Sequence, residues 1–341
     1  MKIAIIVNPL IPVPPEHYGG IERIVFMLIR GLQAMDHDVT LFAHPNSEPG
    51  CRLIGYGEHD PYDHMDFVRI NWLTSGNILG KFDLVHTFGR MSNIALLMFS
   101  GIHKVVSYQL PPTLSQIKKA VRLARSGTLH FTACSNFIAD QIRPFGEVTT
   151  IYNGVDLNTY DFSPELSENA PLVFLGRIQQ EKGTDIAIRL ALETGHRLVI
   201  AGNIPDEPAH QQYFDVAVKP FIDQNRIRYI GPVNNAQKNK LLGSAKAFLM
   251  PVTWDEPFGI VMAEALACGT PVIGFRKGAV PEIVEDGVNG FICDTFEAMC
   301  NAVAAVSNID RHRCRKSAAL NFSAQVITAR YEQLYKQLTS R

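Results

Sequence analysis

The chain has 341 residues, more than one hydrophobic core usually serves, so two domains are expected. Apolar residues make up 46% and charged residues 19%, a balance that excludes a disordered or fibrous chain. A formal net charge of −1 carries no basic footprint for nucleic acid, and the six cysteines include no C-x-x-C pair that would suggest a zinc site or a disulfide framework. That cysteine usage fits a reducing cytosol.

Taken in chain order, "KIAIIV" reads as a buried strand, too short and without the cleavage site of a signal peptide. "NPLIPVPPEHYGG" is a loop, and "IERIVFMLIRGLQAM" places Ile21, Ile24, Val25, Leu28, Ile29 and Leu32 on one helical face. "HDVTLFA" follows as a strand, and so short a crossover implies that it runs parallel to the first. The segment 51–80 gives no clear element. "FDLVHTF" and "HKVVSYQL" read as strands around the helix "RMSNIALLMFSG", and "TLHFTACS" as a strand before "NFIADQIRPFG". "SPELSENA" then has the composition of a linker.

A second alternation follows it. "APLVFLG" is a strand, "TDIAIRLALETG" a helix capped by Thr184, and "HRLVIAG" a strand. Next come a helix over 209–225, "IRYIG", a helix from Asn234, "KAFLMPV", a helix from Gly259 to Cys268, and "TPVIGF". Strands separated by helices throughout predict an α/β protein with two doubly wound parallel sheets and a cleft between them. Ligands of such sheets bind at the carboxyl ends of the strands. The predicted domains are 1–160 and 170–318, followed by a helix over 319–341. No apolar run approaches the roughly 18 residues of a membrane span.

Several stretches carry chemistry. In "FLGRIQQEKGTD", Arg177 follows a strand and Lys182 precedes a helix start, so two cations and free N–H groups converge as a phosphate would need. The same pattern also suits a solvated strand-to-helix loop. Gly19 and Gly20 leave backbone open to a ligand, or serve a turn; G-x-G-x-x-G is absent, which disfavours a dinucleotide site. Glu256 and Glu264 have seven residues between them. Glu256 lies in the loop before a helix and Glu264 in its second turn, beside the N–H groups of Phe258, Gly259, Ile260 and Val261. The neighbours of Glu264 are apolar almost all round, so its carboxylate needs a partner. Acceptors spaced in this way suit a polyhydroxylated ligand. "DHD" at 36–38 reads as a surface turn, and no metal is expected. In residues 115–127, Lys118, Lys119, Arg122 and Arg125 line one side of a helix, either as a solvated face or as a weak peripheral contact with anionic lipid.

These stretches together resemble the retaining GT-B glycosyltransferases of family 4. The resemblance runs over "YGGIERIVFMLIRGLQAMDHDVTLFA", "ACSNFIADQI", "IYNGVDLNTY", "FLGRIQQEKG", "RIRYIGPV" and "EPFGIVMAEALACGTPVIGFRKGAVPEIVEDGVNGFI". It implies two Rossmann-like domains facing a central cleft, with the acceptor on the first and a nucleotide-sugar, most often a UDP-sugar, on the second. Arg177 and Lys182 would hold the diphosphate, Glu256 the sugar hydroxyls and Glu264 the ribose. The amides from Phe258 to Val261 would face sugar and phosphate, Ile230 and Gly231 would border the base, and Gly20 would let its loop close over the phosphates. The last helix would cross back to the first domain. Retention of configuration and independence of metal or cofactor are likewise implied. So is a cytoplasmic enzyme, with its membrane contact, if any, peripheral to the inner membrane.

Many relatives carry a His where Gln109 stands in "VVSYQLPP". A Gln can bond a sugar hydroxyl but cannot relay a proton at neutral pH. His86 is the nearest substitute by sequence on the acceptor side, though a strand-end histidine is more often structural, and Glu22 is another polar candidate there. Two rival readings stay open: a sugar-nucleotide epimerase of the same fold, and a donor-binding protein without transfer.

Overall fold

The computed structural model describes residues 1–15, 19–57 and 64–340, and the chain separates into two units: Met1–Gly154 with Ala324–Arg341, and Val155–Ser323. The boundary falls at 154/155, so "SPELSENA" belongs to the second unit instead of separating the two.

The first unit runs β1 (Lys2–Ile6), α1 (Gly20–Ala34), β2 (Asp38–Ala43), β3 (Arg52–Gly55), α2 (His64–Ile78), β4 (Leu84–Thr87), β5 (His103–Tyr108), α3 (Leu114–Leu123), β6 (Leu129–Ala133), α4 (Asn136–Ile142) and β7 (Val148–Thr150). Its seven strands are ordered β3-β2-β1-β4-β5-β6-β7, and every pairing is parallel. The apolar runs explain the centre of that sheet: Ile3, Ala4, Ile5 and Ile6 of β1 are fully buried between its neighbours. The stripe on α1 is buried as its period predicts, except that Ile21 is only partly covered. Segment 51–80 holds β3 and α2. Their pattern is weak in sequence because β3 is an edge strand without a fully buried residue.

The second unit runs β8 (Leu172–Leu175), α5 (Thr184–Glu193), β9 (Leu198–Ala201), α6 (Pro208–Tyr213), β10 (Ile227–Tyr229), α7 (Asn235–Gly243), β11 (Ala247–Met250), α8 (Ile260–Ala267), β12 (Val272–Phe275), α9 (Val280–Ile283), β13 (Gly290–Cys293), α10 (Phe296–Ala305) and α11 (Arg311–Asn321). Its sheet is ordered β10-β9-β8-β11-β12-β13, again parallel. Both sheets therefore reverse direction between their first and fourth strands, the doubly wound order whose reversal point receives ligands.

Local differences from the expected elements have local causes. Thr184 is the first residue of α5 and Gly183, in the left-handed region, is its cap. The helix expected over 209–225 turns into a π segment at Phe214–Val218 and a 3₁₀ turn at Lys219–Phe221, where Pro220 supplies no N–H. Asn234 caps α7 in a capping box with Gln237. Only Lys118, Lys119 and Arg122 of the basic stretch lie on α3; the helix ends before Arg125.

The last helix, α12 (Ala324–Thr339), belongs to the first unit. Tyr331 and Tyr335 are its buried anchors, each contributing about 1.5–3 kcal/mol of the kind expected for a fully buried large apolar side chain. Gly31 on α1 allows α12 to approach closely: a Cβ there would lie 2.3 Å from Thr328 Oγ1. Among the described residues no helix is long and apolar enough to cross a membrane.

Candidate active site

In the second unit, the loops after β8 and β11 meet at the reversal point of the sheet. Arg177 stands two residues beyond β8 and Lys182 in the 3₁₀ turn Gln180–Lys182 that leads into α5. Thr253 N–H donates to Glu181 O at 2.9 Å, tying the two loops together. Gly183 makes that approach possible: its φ is 73°, and a Cβ would lie 2.1 Å from Pro251 O.

Glu256 is held by this junction. Its Oε2 accepts from Lys182 Nζ at 2.7 Å and from Trp254 Nε1 at 3.0 Å, and the Lys182 ammonium lies 4.6 Å from the centre of the Trp254 ring. On the backbone, Ala279 N–H donates to Glu256 O at 2.8 Å. Gly278 N–H donates to Asp255 Oδ1 at 3.1 Å, so the loop after β12 braces the same turn. Gly259 begins α8 in the left-handed region at φ 73°, close against Met250, Met262 and the Glu256 side chain.

Glu264 is 4% exposed on α8. Its Oε1 accepts from the Tyr160 hydroxyl at 2.6 Å and from Lys238 Nζ of α7, whose ammonium lies 5.4 Å from the Tyr160 ring centre. Its Oε2 is buried without a hydrogen-bond partner. A carboxyl group with one oxygen satisfied and one not has a position for a further hydrogen-bond donor. Both carboxylates are thus paired with a lysine, and neither lysine partner is arbitrary: a buried carboxylate without one would be costly.

Ile230 and Gly231 follow β10. Ile230 N–H bonds Ile200 O and Gly231 O accepts from Gly202 N–H, so this backbone is committed to the sheet end while the Ile230 side chain stays 40% exposed. Phe258 is buried and packs edge-on against Phe322, and Ile260 and Val261 are partly exposed in the first turn of α8.

In the first unit, Gly19 and Gly20 open α1; His17 and Tyr18 of the same loop lie outside the described residues. A Cβ at Gly20 would meet nothing within 4 Å, whereas one at Gly19 would lie 2.6 Å from Pro15. Glu22 is buried, and desolvation raises its pKa above the ordinary carboxylate value. Gln109, directly after β5, borders a cavity of about 730 Å³ at the carboxyl ends of β1, β4 and β5, and its Oε1 is buried without a partner.

Of the two readings of His86, acceptor-side group or structural histidine, its surroundings fit the second. It is fully buried in β4, with Nδ1 2.5 Å from the Tyr335 hydroxyl and Nε2 2.6 Å from Ser107 Oγ. Burial lowers its pKa to about 3, so it is neutral and fastens α12 to the sheet. "DHD" is a turn: Asp36 lies in the left-handed region and Asp38 starts β2. Among the described residues no three His, Cys, Asp or Glu side chains gather as a metal site would require.

Sequence reading missed Lys238, Tyr160 and Trp254. Lys238 had a signal: Leu241 and Leu242, three and four positions on, share its helical face and are buried. Nothing in "LNTYDF" marks Tyr160.

The family description "Glycosyl transferases group 1" matches residues 159–320, and "Glycosyltransferase Family 4" matches residues 18–159. Spore coat protein SA of Bacillus subtilis (strain 168) is 25% identical, over 87% of this chain and 86% of its own length. AviGT4, a glycosyltransferase involved in avilamycin A biosynthesis, is 26% identical, with a TM-score of 0.74 over 99% of this chain and 98% of its own. HepE of Anabaena, solved in complex with UDP-glucose, has the same fold at a TM-score of 0.78 and 17% identity, covering 99% of this chain and all (100%) of its own.

Proposed function

We propose, from the premise that this chain belongs to the group 1 glycosyltransferases, that it moves a sugar from a UDP-sugar to a hydroxyl acceptor, retaining configuration and using no metal. The observation that carries this reading is the pairing at the reversal point of the second sheet. Glu256 is tied to Lys182, and Glu264 is tied to Lys238 with one oxygen free. The choice of UDP is supported by the HepE complex.

The free Oε2 of Glu264 accepts from a ribose hydroxyl. Ile230 and Gly231 border the base. Arg177 and Lys182, with the first amides of α8, take the diphosphate, whose negative charge grows as the bond from the sugar C1 to phosphate oxygen breaks. Groups aimed at that developing charge stabilise the transition state more than the ground state. Lys182 turns from Glu256 toward phosphate, and Glu256, still oriented by Trp254, accepts from sugar hydroxyls. The acceptor oxygen bonds C1 on the face the phosphate leaves, and its proton passes to the departing phosphate oxygen.

On the first unit, Gln109 hydrogen-bonds a hydroxyl without relaying a proton. Gly19 and Gly20 keep the start of α1 open to phosphate, and Glu22 lies beside them. Lys118, Lys119 and Arg122 on α3, with Leu114, Val121 and Leu123 each about 40% exposed, give a weak contact with an anionic membrane surface. That contact would be peripheral, on the cytoplasmic side.

A thermal-shift panel of UDP, GDP, ADP and their sugar conjugates, with and without EDTA, tests the reading. Ligand at a hundred times its dissociation constant adds about 2.7 kcal/mol to stability. The expected result is stabilisation by the UDP series, unchanged by EDTA. No shift from any nucleotide would sink the donor site, and a shift abolished by EDTA would sink metal independence. Gln109 in place of His favours one second reading, a donor-binding protein without transfer; detection of a single glycosylated product would end it.

A further inference from the structure

The cavity in the first unit has a chemistry of its own. Its volume of about 730 Å³ is within the range of small-molecule sites. Its lining is largely but not wholly apolar: Met91, Ala95 and Met98 come from the 3₁₀ segment between β4 and β5, and Ala120 and Leu123 from α3, with polar groups of Tyr108 and Gln116 among them. The charged side chains that line it are Arg90 and Lys119, both exposed, and no carboxylate is among the described residues lining it. The loops after β4 and β1 are joined here, since the backbone N–H of Arg90 donates to Asn8 Oδ1 at 3.2 Å. At the strand end stands Gln109, with its partnerless Oε1.

We infer that this cavity takes an amphipathic acceptor: an apolar alkyl or aryl body between the 3₁₀ segment and α3, a phosphate-like anion at Arg90 and Lys119, and a hydroxyl that donates to Gln109. The inference rests on the glycosyltransferase reading for the word acceptor, but the binding chemistry stands on the cavity alone. Leu110, Leu114 and Leu123, all at least 40% exposed near its rim, extend the apolar surface outward, so the body can be a lipid chain or a soluble organic phosphate.

The test measures binding to the full chain by calorimetry, with no nucleotide-sugar present. The probes are inorganic phosphate, ethyl, butyl and hexyl phosphate, and hexanol. Affinity should rise about fourfold per methylene along the phosphate series. Hexyl phosphate should bind about ten- to hundredfold more tightly than hexanol, because the anion is held by charged donors. The double variant Arg90→Ala, Lys119→Ala should remove that advantage. Ala95→Trp, at an exposed position on the wall, should abolish the chain-length dependence without unfolding the protein.

A flat series, equal affinity for hexanol and hexyl phosphate, or indifference to both variants would overturn the inference. Vesicles carrying phosphatidic acid, compared with vesicles of equal charge carrying phosphatidylserine, identify the source: capture by phosphatidic acid beyond that of the equal-charge vesicles marks a lipid phosphate, and binding of hexyl phosphate without that excess marks a soluble one. Either supports the chemistry proposed. UDP stabilisation in the same samples reports on the other unit, so loss of that shift with hexyl phosphate binding intact would sink the enzymatic reading and leave the cavity assignment standing.

Discussion

The two units share a strand order and differ in what occupies the place where it reverses. In the second unit the loops after β8 and β11 bring Lys182, Glu256 and Trp254 into contact. In the first, the corresponding loops after β1 and β4 border a largely apolar cavity whose lining includes two exposed cations. The histidine of β4, which looks chemical in sequence, faces the core. Topology therefore selects where a ligand can bind, and loop composition selects which ligand. The paired charges of the second unit's site are buried and interdependent. The cations lining the first unit's cavity are exposed and separable.

That contrast predicts the largest effect at Glu264. Lys238 and Glu264 have side chains only 9% and 5% exposed. Removing one partner of so buried a pair leaves the other uncompensated, and Glu264→Ala should cost about 3–5 kcal/mol in denaturant unfolding. Removing Arg90 and Lys119 from the first unit should stay within about 0.5 kcal/mol, as usual for exposed positions. Equal costs would erase the distinction between the two regions. Adding Lys238→Met to Glu264→Gln should recover stability without recovering donor binding, which separates the fold from the function of this carboxylate.

Arg177→Ala comes next. Losing a hydrogen bond to charge should weaken donor handling by about 1.5–3 kcal/mol, or about ten- to hundredfold. Donor affinity and transfer rate measured together check it, and unchanged values would remove Arg177 from the phosphate site.

The alternation of strands and helices was legible because each central strand is a short apolar run and helices such as α1 carry an apolar stripe, which α2 lacks. Glu264 was legible for the opposite reason, as a charge inside an apolar helix. Its pairing was not: the leucines on the face of Lys238 signal that this lysine is buried, but pairing across two helices leaves no local period to say with what. Gln109 could be located by resemblance, but the cavity beside it is assembled from loops distant in sequence. His86 left two readings open because a strand-end histidine looks the same whether it faces solvent or core.

The burial of His86 has a pH signature confined to the first unit. Its folded pKa of about 3 lies below the ordinary 6.5, so the unfolded chain takes up the proton first as pH falls. The stability this group contributes is complete above about pH 6.5 and is lost toward pH 3, by about 1.4 kcal/mol per pH unit. Thermal unfolding of the wild type should therefore show a steeper acid decline than His86→Gln over that window. Parallel slopes would mean that His86 is not held neutral in the core.

The smallest effect tests whether environment, and not contact distance, separates the charges of the site from ordinary ones. Arg189 and Glu193 on α5 form an ion pair at 2.8 Å, almost the 2.7 Å of Lys182 and Glu256. Their side chains are 64% and 48% exposed, against 15% and 10% for the pair at the loop junction. Water already solvates both exposed groups, so bringing them together changes little. Glu193→Ala should cost about 0.3–0.5 kcal/mol, the scale of an exposed pair four residues apart on a helix. Added salt should reduce even that, and donor binding should not change. A cost several times larger would show that the helix following Lys182 depends on this pair, and that the charged network extends beyond the loops that define it.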